Sequence, residues 1–311
     1  MLVFLSGCPA PLAYAIFPGH YSAFCAPMPE LPEVETTRRG IAPHAIGRTI
    51  AAVDVHDRRL RWPVPMTLPA TLTGRTVTRL ERRSKYLLFR CERPASSGLS
   101  DHSGTLLVHL GMTGSLRWYS DASTAPARRT HDHVDIRFGS GALLRYHDPR
   151  RFGAILWVED PVGQHPLLAE LGPEPFEADF SAVALHKALR SRSVAIKLAL
   201  MDNHVVVGVG NIYANEALFH AGIRPTRAAN RVSLRRLELL VDAVRSTLSA
   251  AIDKGGSTLR DYVDSRGEPG YFQLDYHAYG RAGLPCRRCA TPLRSIRQGG
   301  RATTYCHQCQ R

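Results

Sequence analysis

The hydrophobic pattern of this chain changes its period near residue 160, and that change constrains the fold more than any other feature of the sequence. Before it, residues 134–138 alternate apolar with polar side chains. Residues 105–110, 143–146 and 154–158 are short apolar runs separated by Gly, Ser and Asp. Such runs are typical of strands. Several strands at this spacing predict a β-sandwich or a β-barrel.

Helical spacing replaces this pattern after a Pro-rich passage at residues 160–175, which marks a domain boundary. Five apolar side chains recur at intervals that place them on one helix face: Leu237, Leu240, Val244, Leu248 and Ile252. Further helices are predicted at residues 181–190, 193–201 and 211–221. At 311 residues, the chain has room for about two domains.

One more helix is predicted before the strands, at residues 32–40. Pro32 suits the first turn of a helix, and acidic side chains lie at its start. Arg38 and Arg39 suit the last turn, and Gly40 is a typical stop signal.

The first 27 residues contain no Lys, Arg, Asp or Glu, and residues 2–17 are apolar enough to suggest a signal or membrane segment. Gly7, Pro9 and Pro11 break this stretch, which lacks a basic region and is too short to span a bilayer. Residues 5–8 resemble a lipoprotein cleavage box but lie too near the N-terminus for one. We therefore expect residues 1–27 to be an extension from a start codon assigned too early.

The charge balance predicts a partner with many negative charges. The chain has 40 Lys and Arg against 27 Asp and Glu, a formal charge of +13. Because the first 27 residues carry none of these, the whole excess lies on residues 28–311. Such a charge favours binding to nucleic acid or to another anionic surface.

Four cysteines near the C-terminus have the spacing of a metal site: Cys286-x-x-Cys289, sixteen residues, then Cys306-x-x-Cys309. Thiolates in two tight turns can converge on a tetrahedral Zn²⁺, and the residues between them suit a β-hairpin. Two disulfides or four unrelated cysteines are the alternatives. Disulfides are rare in cytosolic proteins that bind DNA, so we expect one structural zinc ion.

Two features suggest phosphate binding. Six arginines flank or lie within the cysteine hairpin: Arg287, Arg288, Arg294, Arg297, Arg301 and Arg311. Gly208 and Gly210 precede a helix that would begin near Asn211, and a helix N-terminus offers N–H groups and a positive dipole end to a phosphate. Glycines before a helix are also common in ordinary turns in which Asn is the cap.

Over residues 28–311 the chain resembles the formamidopyrimidine-DNA glycosylases, because separated motifs occur in that family's order. They are residues 28–33 (MPELPE), 82–87 (RRSKYL), 109–114 (HLGMTG), 148–153 (DPRRFG), the passage around 203–216, 255–259 (GGSTL) and the cysteine hairpin with Arg301. So many motifs in one order do not arise by chance.

The resemblance implies an α+β fold with DNA in a cleft between its two main domains. The implied organisation is a catalytic β-sandwich domain with a flanking helix at residues 28–160, a linker at 161–175, a helix-two-turn-helix domain at 176–270 and a β-hairpin zinc finger at 271–311.

The resemblance also assigns the nucleophile to Pro29, whose secondary amine is exposed when the initiator methionine is removed. An amine within a peptide bond has no lone pair to donate, so Pro29 must be terminal. A free α-amine has a pKa of about 7.7–8.0, which makes it a nucleophile near neutral pH. Attack on the sugar C1′ expels the base and leaves an iminium. The iminium acidifies the C2′ proton, so strand cleavage by β- and δ-elimination follows.

Other site residues follow from the same resemblance. Glu30 would be the acid-base group that helps protonate the sugar, and Glu33 would support the site by a hydrogen bond. Lys85 would contact the lesion or its phosphate, and Lys85 and Arg301 would donate protons for elimination. Taken by themselves, Glu30 and Glu33 are equally typical of a helix start, and Lys85 of a solvated strand.

DNA contacts are implied as well, because a base within a duplex must be flipped out before it can react. Met112 and Phe152 would fill the space left behind, and Arg150 would hydrogen-bond the widowed cytosine. As isolated residues, Met112 and Phe152 would more often belong to ordinary packing. Further DNA contacts are implied at His109, His131, Asn211 and Arg301.

The implied function is that of a bifunctional DNA glycosylase and AP lyase for oxidised purines, namely 8-oxoguanine and formamidopyrimidines. It would act on double-stranded DNA with lesions or abasic sites, as a cytoplasmic, nucleoid-associated bacterial monomer with no organic cofactor and no membrane contact. Two alternatives are an endonuclease VIII-like glycosylase for oxidised pyrimidines and a non-catalytic DNA-binding protein whose extension keeps Pro29 internal. Residues 28–33, 150–152 and 255–259 resemble the purine branch better.

Overall fold

The structure is a computed structural model that describes residues 29–93, 103–256 and 276–311. Two predictions therefore lie outside the described residues, namely the extension at 1–27 and the end of the motif at 255–259. None of the described helices is long and apolar enough to cross a bilayer.

Within the described part of the N-terminal domain, eight strands form two four-stranded antiparallel sheets, so the predicted sandwich is confirmed. One sheet has the order β1-β6-β7-β5 and the other the order β2-β3-β4-β8. The strands are β1 (Ile50–Val55), β2 (Thr76–Arg83), β3 (Tyr86–Glu92), β4 (Gly104–His109), β5 (Ser115–Tyr119), β6 (Asp132–Phe138), β7 (Leu143–His147) and β8 (Ala154–Glu159).

Alternating side chains of the strands build two separate clusters. On β3, Phe89 faces the core between the sheets, whereas Leu88 faces outward. Residues of the predicted linker cover that outer face, because Val162 and Leu168 pack with Leu88 and Leu107. A sheet buried on both faces explains why residues 105–110 read as a continuous apolar run.

The first helix, α1 (Leu31–Ala45), is longer than predicted. Gly40 does not end it, because Ile41 and Ala45 continue its buried face. A glycine within a helix costs about 1 kcal/mol relative to alanine. Burying one isoleucine side chain contributes about 1.5–3 kcal/mol, which outweighs that cost.

The C-terminal half is helical as predicted, and it shares one continuous core with the sandwich. The last helix, α6, packs against α1, α3 and α5, and so joins the two halves. The helix predicted at residues 193–201 is shorter than expected. The remaining helices are α2 (Leu68–Leu72, in the N-terminal domain), α3 (Ala182–Leu189), α4 (Ile196–Leu200), α5 (Asn211–His220) and α6 (Leu234–Asp253).

The cysteine segment folds as the predicted β-hairpin, formed by β9 (Arg294–Gln298) and β10 (Arg301–Tyr305). It is docked on α5, because the side chain of Asn215 accepts the backbone N–H of Thr304 at 2.9 Å. Phe219 of α5 packs with Cys286 and Cys306.

Candidate active site and DNA interface

Glu30 lies where the two domains meet and is almost completely buried, with 3% of its surface exposed. It directly precedes α1, and its carboxylate reaches the loop before α5. Its Oε2 accepts the backbone N–H of Gly210 at 2.8 Å, and its Oε1 accepts that of Ile212 at 3.0 Å. Tyr213 donates a third, longer bond at 3.4 Å. The helical domain therefore holds in place a carboxylate that the N-terminal domain carries.

The surroundings of Glu30 bring its pKa close to neutral pH. Burial raises the pKa of Glu30 from its ordinary value of 4.5 to about 7, and the charge of Glu33 adds to that rise. The positive charge of Lys85 and the backbone N–H groups oppose it. A carboxyl group with a pKa near the working pH can both give and take a proton, as acid-base catalysis requires.

Glu33 is fully buried and supports both Glu30 and the helical domain. Its Oε2 accepts the backbone N–H of Glu30 at 2.8 Å, and its Oε1 accepts the hydroxyl of Tyr213 at 2.6 Å. Burial beside Glu33 raises the pKa of Tyr213, so the phenol keeps the proton that it donates. The supporting role expected of Glu33 therefore has a geometric basis.

Lys85 lies in the tight turn between β2 and β3, in which Ser84 has a φ of 56°. Only 9% of Lys85 is exposed, so it is not a solvated strand charge. Burial lowers the pKa of Lys85; Glu30 and Glu33 oppose the shift, and Arg301 adds to it. These four side chains thus share one electrostatic environment. Arg301 itself is exposed at the start of β10.

Pro29 is buried beside this cluster, and two glycines make room for the segment that follows it. The N–H of Leu31 donates to the carbonyl of Gly208 at 3.1 Å. A Cβ atom on Gly208 would lie 2.6 Å from the Cβ of Leu31, and one on Gly210 would overlap the carboxyl carbon of Glu30. The glycines of residues 208–210 are therefore required by the close approach of the segment that carries Pro29 and Glu30.

The N-terminus of α5 differs from the sequence prediction, which placed a phosphate there. Its N–H groups were expected to bind a phosphate, but those of Gly210, Ile212 and Tyr213 donate to Glu30. A protein carboxylate therefore occupies the anion position at this helix end. The assignment of Asn211 to DNA stays a prediction that rests on its side chain.

Lys197 belongs to the site but was missed by sequence reasoning. Its fully buried Nζ donates to the Asn211 side chain at 2.6 Å, to Thr303 Oγ1 at 2.6 Å and to the Ala302 carbonyl at 3.1 Å. Burial lowers the pKa of Lys197 to about 7, against the attraction of Glu30. Its signal in the sequence is one lysine within an apolar helical run, which is equally typical of a lysine whose stem alone is buried.

Two loops of the sandwich, residues 109–114 and 148–153, are joined through Thr113 and Asp148. The Thr113 hydroxyl donates to Asp148 Oδ1 at 2.6 Å and accepts the backbone N–H of Arg150 at 3.1 Å. These bonds bring the two predicted void-filling motifs together on one edge of the domain.

The side chains at the tips of these loops are partly or largely exposed. Phe152 is 43% exposed, and the guanidinium of Arg150 lies 4.9 Å from the centre of its ring. Met112 is half-buried in the neighbouring loop. A phenylalanine packed in the core would be far less exposed. A side chain that enters a base stack as a wedge must be exposed, as Phe152 is.

His109 and His131 differ in environment. His109 is half-buried against the ring of Tyr86, and desolvation, with Lys85 and Arg61, lowers its pKa to about 4. It is therefore neutral at physiological pH, so any phosphate contact would be a hydrogen bond and not an ion pair. His131 is half-buried, and its buried Nδ1 has no hydrogen-bond partner among the described residues.

The four predicted cysteine ligands converge, with all four Sγ atoms within 4.8 Å of one another. Cys286 and Cys309 are 3.9 Å apart at Sγ, and Cys289 and Cys306 are 3.5 Å apart. Zn–S bonds of about 2.3 Å in a tetrahedron place sulfurs about 3.8 Å apart, whereas a disulfide requires about 2 Å. The cysteines therefore fit one structural zinc ion, and the disulfide alternative is wrong.

Three family models match the chain in the same order as the domains seen in the structure. The N-terminal domain of formamidopyrimidine-DNA glycosylase matches residues 28–155, and the H2TH domain of that enzyme matches residues 171–263. The zinc finger found in FPG and IleRS matches residues 283–311.

Individual relatives agree. Formamidopyrimidine-DNA glycosylases from Paraburkholderia phytofirmans and Thioalkalivibrio sulfidiphilus are 56% and 55% identical, each over 91% of this chain and 100% of its own length. The crystal structure of the MutM (Fpg) protein from Thermus thermophilus is 37% identical with a TM-score of 0.77, over 91% of this chain and 98% of its own. The Lactococcus lactis Fpg bound to DNA containing an abasic site is 32% identical with a TM-score of 0.79, over 91% and 99%.

A sandwich and a helix-two-turn-helix domain that share a buried glutamate, followed by a cysteine hairpin, define a DNA glycosylase of the H2TH class. Within that class, the chain belongs to the formamidopyrimidine-DNA glycosylase family.

Proposed function

We propose that this protein excises oxidised purines from double-stranded DNA and then cleaves the strand, with the terminal amine of Pro29 as nucleophile. The observation that carries the proposal is the position of Glu30, a buried carboxyl group with a pKa of about 7 next to Pro29. The Lactococcus lactis relative has been crystallised with DNA containing Fapy-dG or an abasic site, which supports the same substrates here.

In the proposed reaction the Pro29 nitrogen bonds to C1′, and the bond from C1′ to the base breaks. The base leaves with the electron pair of that bond and takes up the proton that the amine loses. Glu30 in its protonated form gives a proton to the sugar ring oxygen, so the ring opens and an iminium forms. Loss of the C2′ proton expels the 3′ phosphate, and a further elimination expels the 5′ phosphate. Lys85, whose pKa is affected by the charges of Glu30 and Arg301, and Arg301 itself would stabilise or protonate these leaving groups.

The zinc ion would be held by the four cysteines and would fix the fold of the hairpin that presents Arg301. Zinc supplies no step of this reaction. Net charge, exposed arginines and the wedge residues support DNA as the partner. Because the relatives are bacterial, we propose that the protein acts as a monomer on chromosomal DNA in a bacterial cytoplasm.

Borohydride trapping tests the proposal, because an iminium has a reducible C=N bond. A protein that begins at Pro29 should form a covalent complex with a duplex containing 8-oxoguanine. The full chain and an N-acetylated form of the protein that begins at Pro29, whose nitrogen is held in an amide, are the controls. Equal trapping by the full chain would exclude Pro29 and redirect attention to Lys85. DNA binding without trapping by the Pro29 form would favour the non-catalytic alternative, and a preference for oxidised pyrimidines the endonuclease VIII alternative.

A further inference from the structure

A second group of metal-binding side chains lies outside the cysteine site, at the C-terminal end of α5. Glu216 and His220 are one helical turn apart and so lie on the same face of the helix. His277 reaches them from the segment before the zinc finger. One ligand atom of each lies within 4.8 Å of the others, and the two imidazole rings meet edge-on with centres 4.7 Å apart.

The carboxylate of Glu216 is fixed in place by the backbone that carries His277. Its Oε1 accepts the N–H of Ala278 at 2.9 Å and that of Tyr279 at 2.7 Å, and its Oε2 accepts the N–H of His277 at 2.8 Å. A carboxylate has about four lone-pair positions, so one remains on Oε2. That oxygen lies 3.8 Å from Nδ1 of His277. Nitrogen and oxygen ligands on one tetrahedral zinc ion are about 3.3 Å apart, so these two atoms would have to approach by about 0.5 Å to share an ion.

Both imidazoles can be reached by an incoming ion, because His220 is exposed and His277 is half-buried. A neutral imidazole has one nitrogen lone pair to donate to a metal. Three arginines act on these rings, Arg288 on both of them and Arg281 and Arg287 on His277.

The same arginines would repel a divalent cation, so the choice of ion depends on strong metal–imidazole bonds. Imidazole suits Zn²⁺, whereas Mg²⁺ and Ca²⁺ prefer oxygen ligands. We propose that Glu216, His220 and His277 bind a second zinc ion, more weakly than the cysteines bind the first. This ion would join the end of α5 to the segment that enters the zinc finger.

Zinc analysis of the full chain after equilibrium dialysis against increasing free Zn²⁺ tests the proposal. The unmodified protein should reach two zinc ions per chain. His277→Gln and His220→Asn should each retain the first ion and lose the second. The affinity for the second zinc ion should fall by more than 10–100-fold, which is the loss expected when a residue that only supports a metal ligand is removed. His186→Gln, which removes an exposed imidazole on α3, is the matched control and should bind as the parent does.

Cobalt distinguishes the two sites. Co²⁺ bound to thiolates gives an intense charge-transfer band, and Co²⁺ bound to imidazole and carboxylate gives weaker visible bands without it. The second equivalent should add only the weaker bands, and His277→Gln should remove them while the thiolate band persists, which also shows that the finger remains folded. Saturation at one ion per chain, or unchanged second binding in both histidine variants, would overturn the proposal.

Discussion

The backbone N–H of Gly210 donates to the carboxylate of Glu30 at 2.8 Å, across 180 residues of sequence. This bond joins the helical domain to the residue next to the proposed nucleophile. It requires close approach of the two backbones, because any side chain on residue 210 would occupy the place of the Glu30 carboxyl group.

Gly210→Ala should therefore impair base excision. The backbone at residue 210 is extended, so alanine introduces no backbone strain, and the added methyl group acts only by displacing Glu30. Misplacing a catalytic group by about 1 Å costs on the order of 10²-fold in rate, which single-turnover excision of 8-oxoguanine would measure. Gly163→Ala, where an added Cβ meets nothing within 4 Å, is the control. Equal rates for the two variants would show that Glu30 does not need this position.

The rate of base excision should depend on pH through Glu30. The proposed step needs Glu30 protonated, and its pKa of about 7 means that the proton is lost as pH rises through neutrality. It also needs the Pro29 amine unprotonated, which is favoured above about pH 8. We expect a bell-shaped profile for the Pro29 form. Glu30→Gln should be slow at every pH and should lack the alkaline decline, while DNA affinity is retained. An alkaline decline that persists in this variant would assign it to another group.

Replacing the wedge residues should separate base flipping from chemistry. Met112→Ala or Phe152→Ala removes an apolar wedge and leaves Pro29 and Glu30 in place. Excision from intact duplex should fall much more than cleavage at a pre-formed abasic site, where no base has to be flipped. If the Met112 variant loses both activities equally, the wedge assignment is wrong. Val183→Ala, a truncation of an exposed apolar side chain on α3, controls for general effects.

Loss of one cysteine ligand should unfold the finger alone. Cys306→Ser removes one of four thiolates, and in a small metal site the free energy of metal binding is also free energy of folding. We expect loss of the tightly bound zinc ion and weaker DNA binding, while the sandwich remains folded. Metal analysis and circular dichroism measure these effects, and Cys91→Ser controls for loss of a buried thiol elsewhere. Unchanged zinc content would exclude Cys306 as a ligand.

Lys197 should make stability rise with pH above neutrality. Its pKa is about 7 in the folded protein and about 10.5 when exposed, so between these values the unfolded chain binds more protons. Unfolding therefore becomes less favourable as pH rises through this window. Lys197→Met should lose this increase, and Lys187→Met, an exposed lysine on α3, should keep it. Chemical denaturation at several pH values would measure the difference. Parallel profiles for the two variants would show that Lys197 stays charged.

Sequence patterns predicted the parts of this protein that depend on local order. The strands, most helices and the cysteine hairpin follow from period and spacing, which act between near neighbours. Gly40 was misassigned as a stop because Ile41 is buried by residues far away in the sequence. Lys197 was missed for the same reason, since its partners Asn211 and Thr303 meet it only in the folded chain.

The roles of Glu30 and Glu33 came from family resemblance and not from pattern. Two acidic residues at the start of a helix are common, and nothing local distinguishes them from dipole partners. What distinguishes Glu30 is burial against backbone groups of the other domain. The prediction that a phosphate binds at the start of α5 was wrong. The Glu30 carboxylate that fills this position comes from a distant part of the chain, so the sequence of residues 208–213 does not indicate it.

The distance in sequence between Glu30 and Gly210 also sets an order of events during synthesis. Ribosomes add about 5–20 residues per second, so roughly 10–40 s separate the emergence of the two residues. Until the later one appears, Glu30 lacks the N–H groups of the helical domain that fix its carboxylate. If Pro29 is the nucleophile, a nascent chain would carry its amine without the geometry to use it, and activity would begin only when the helical domain has been made and has docked.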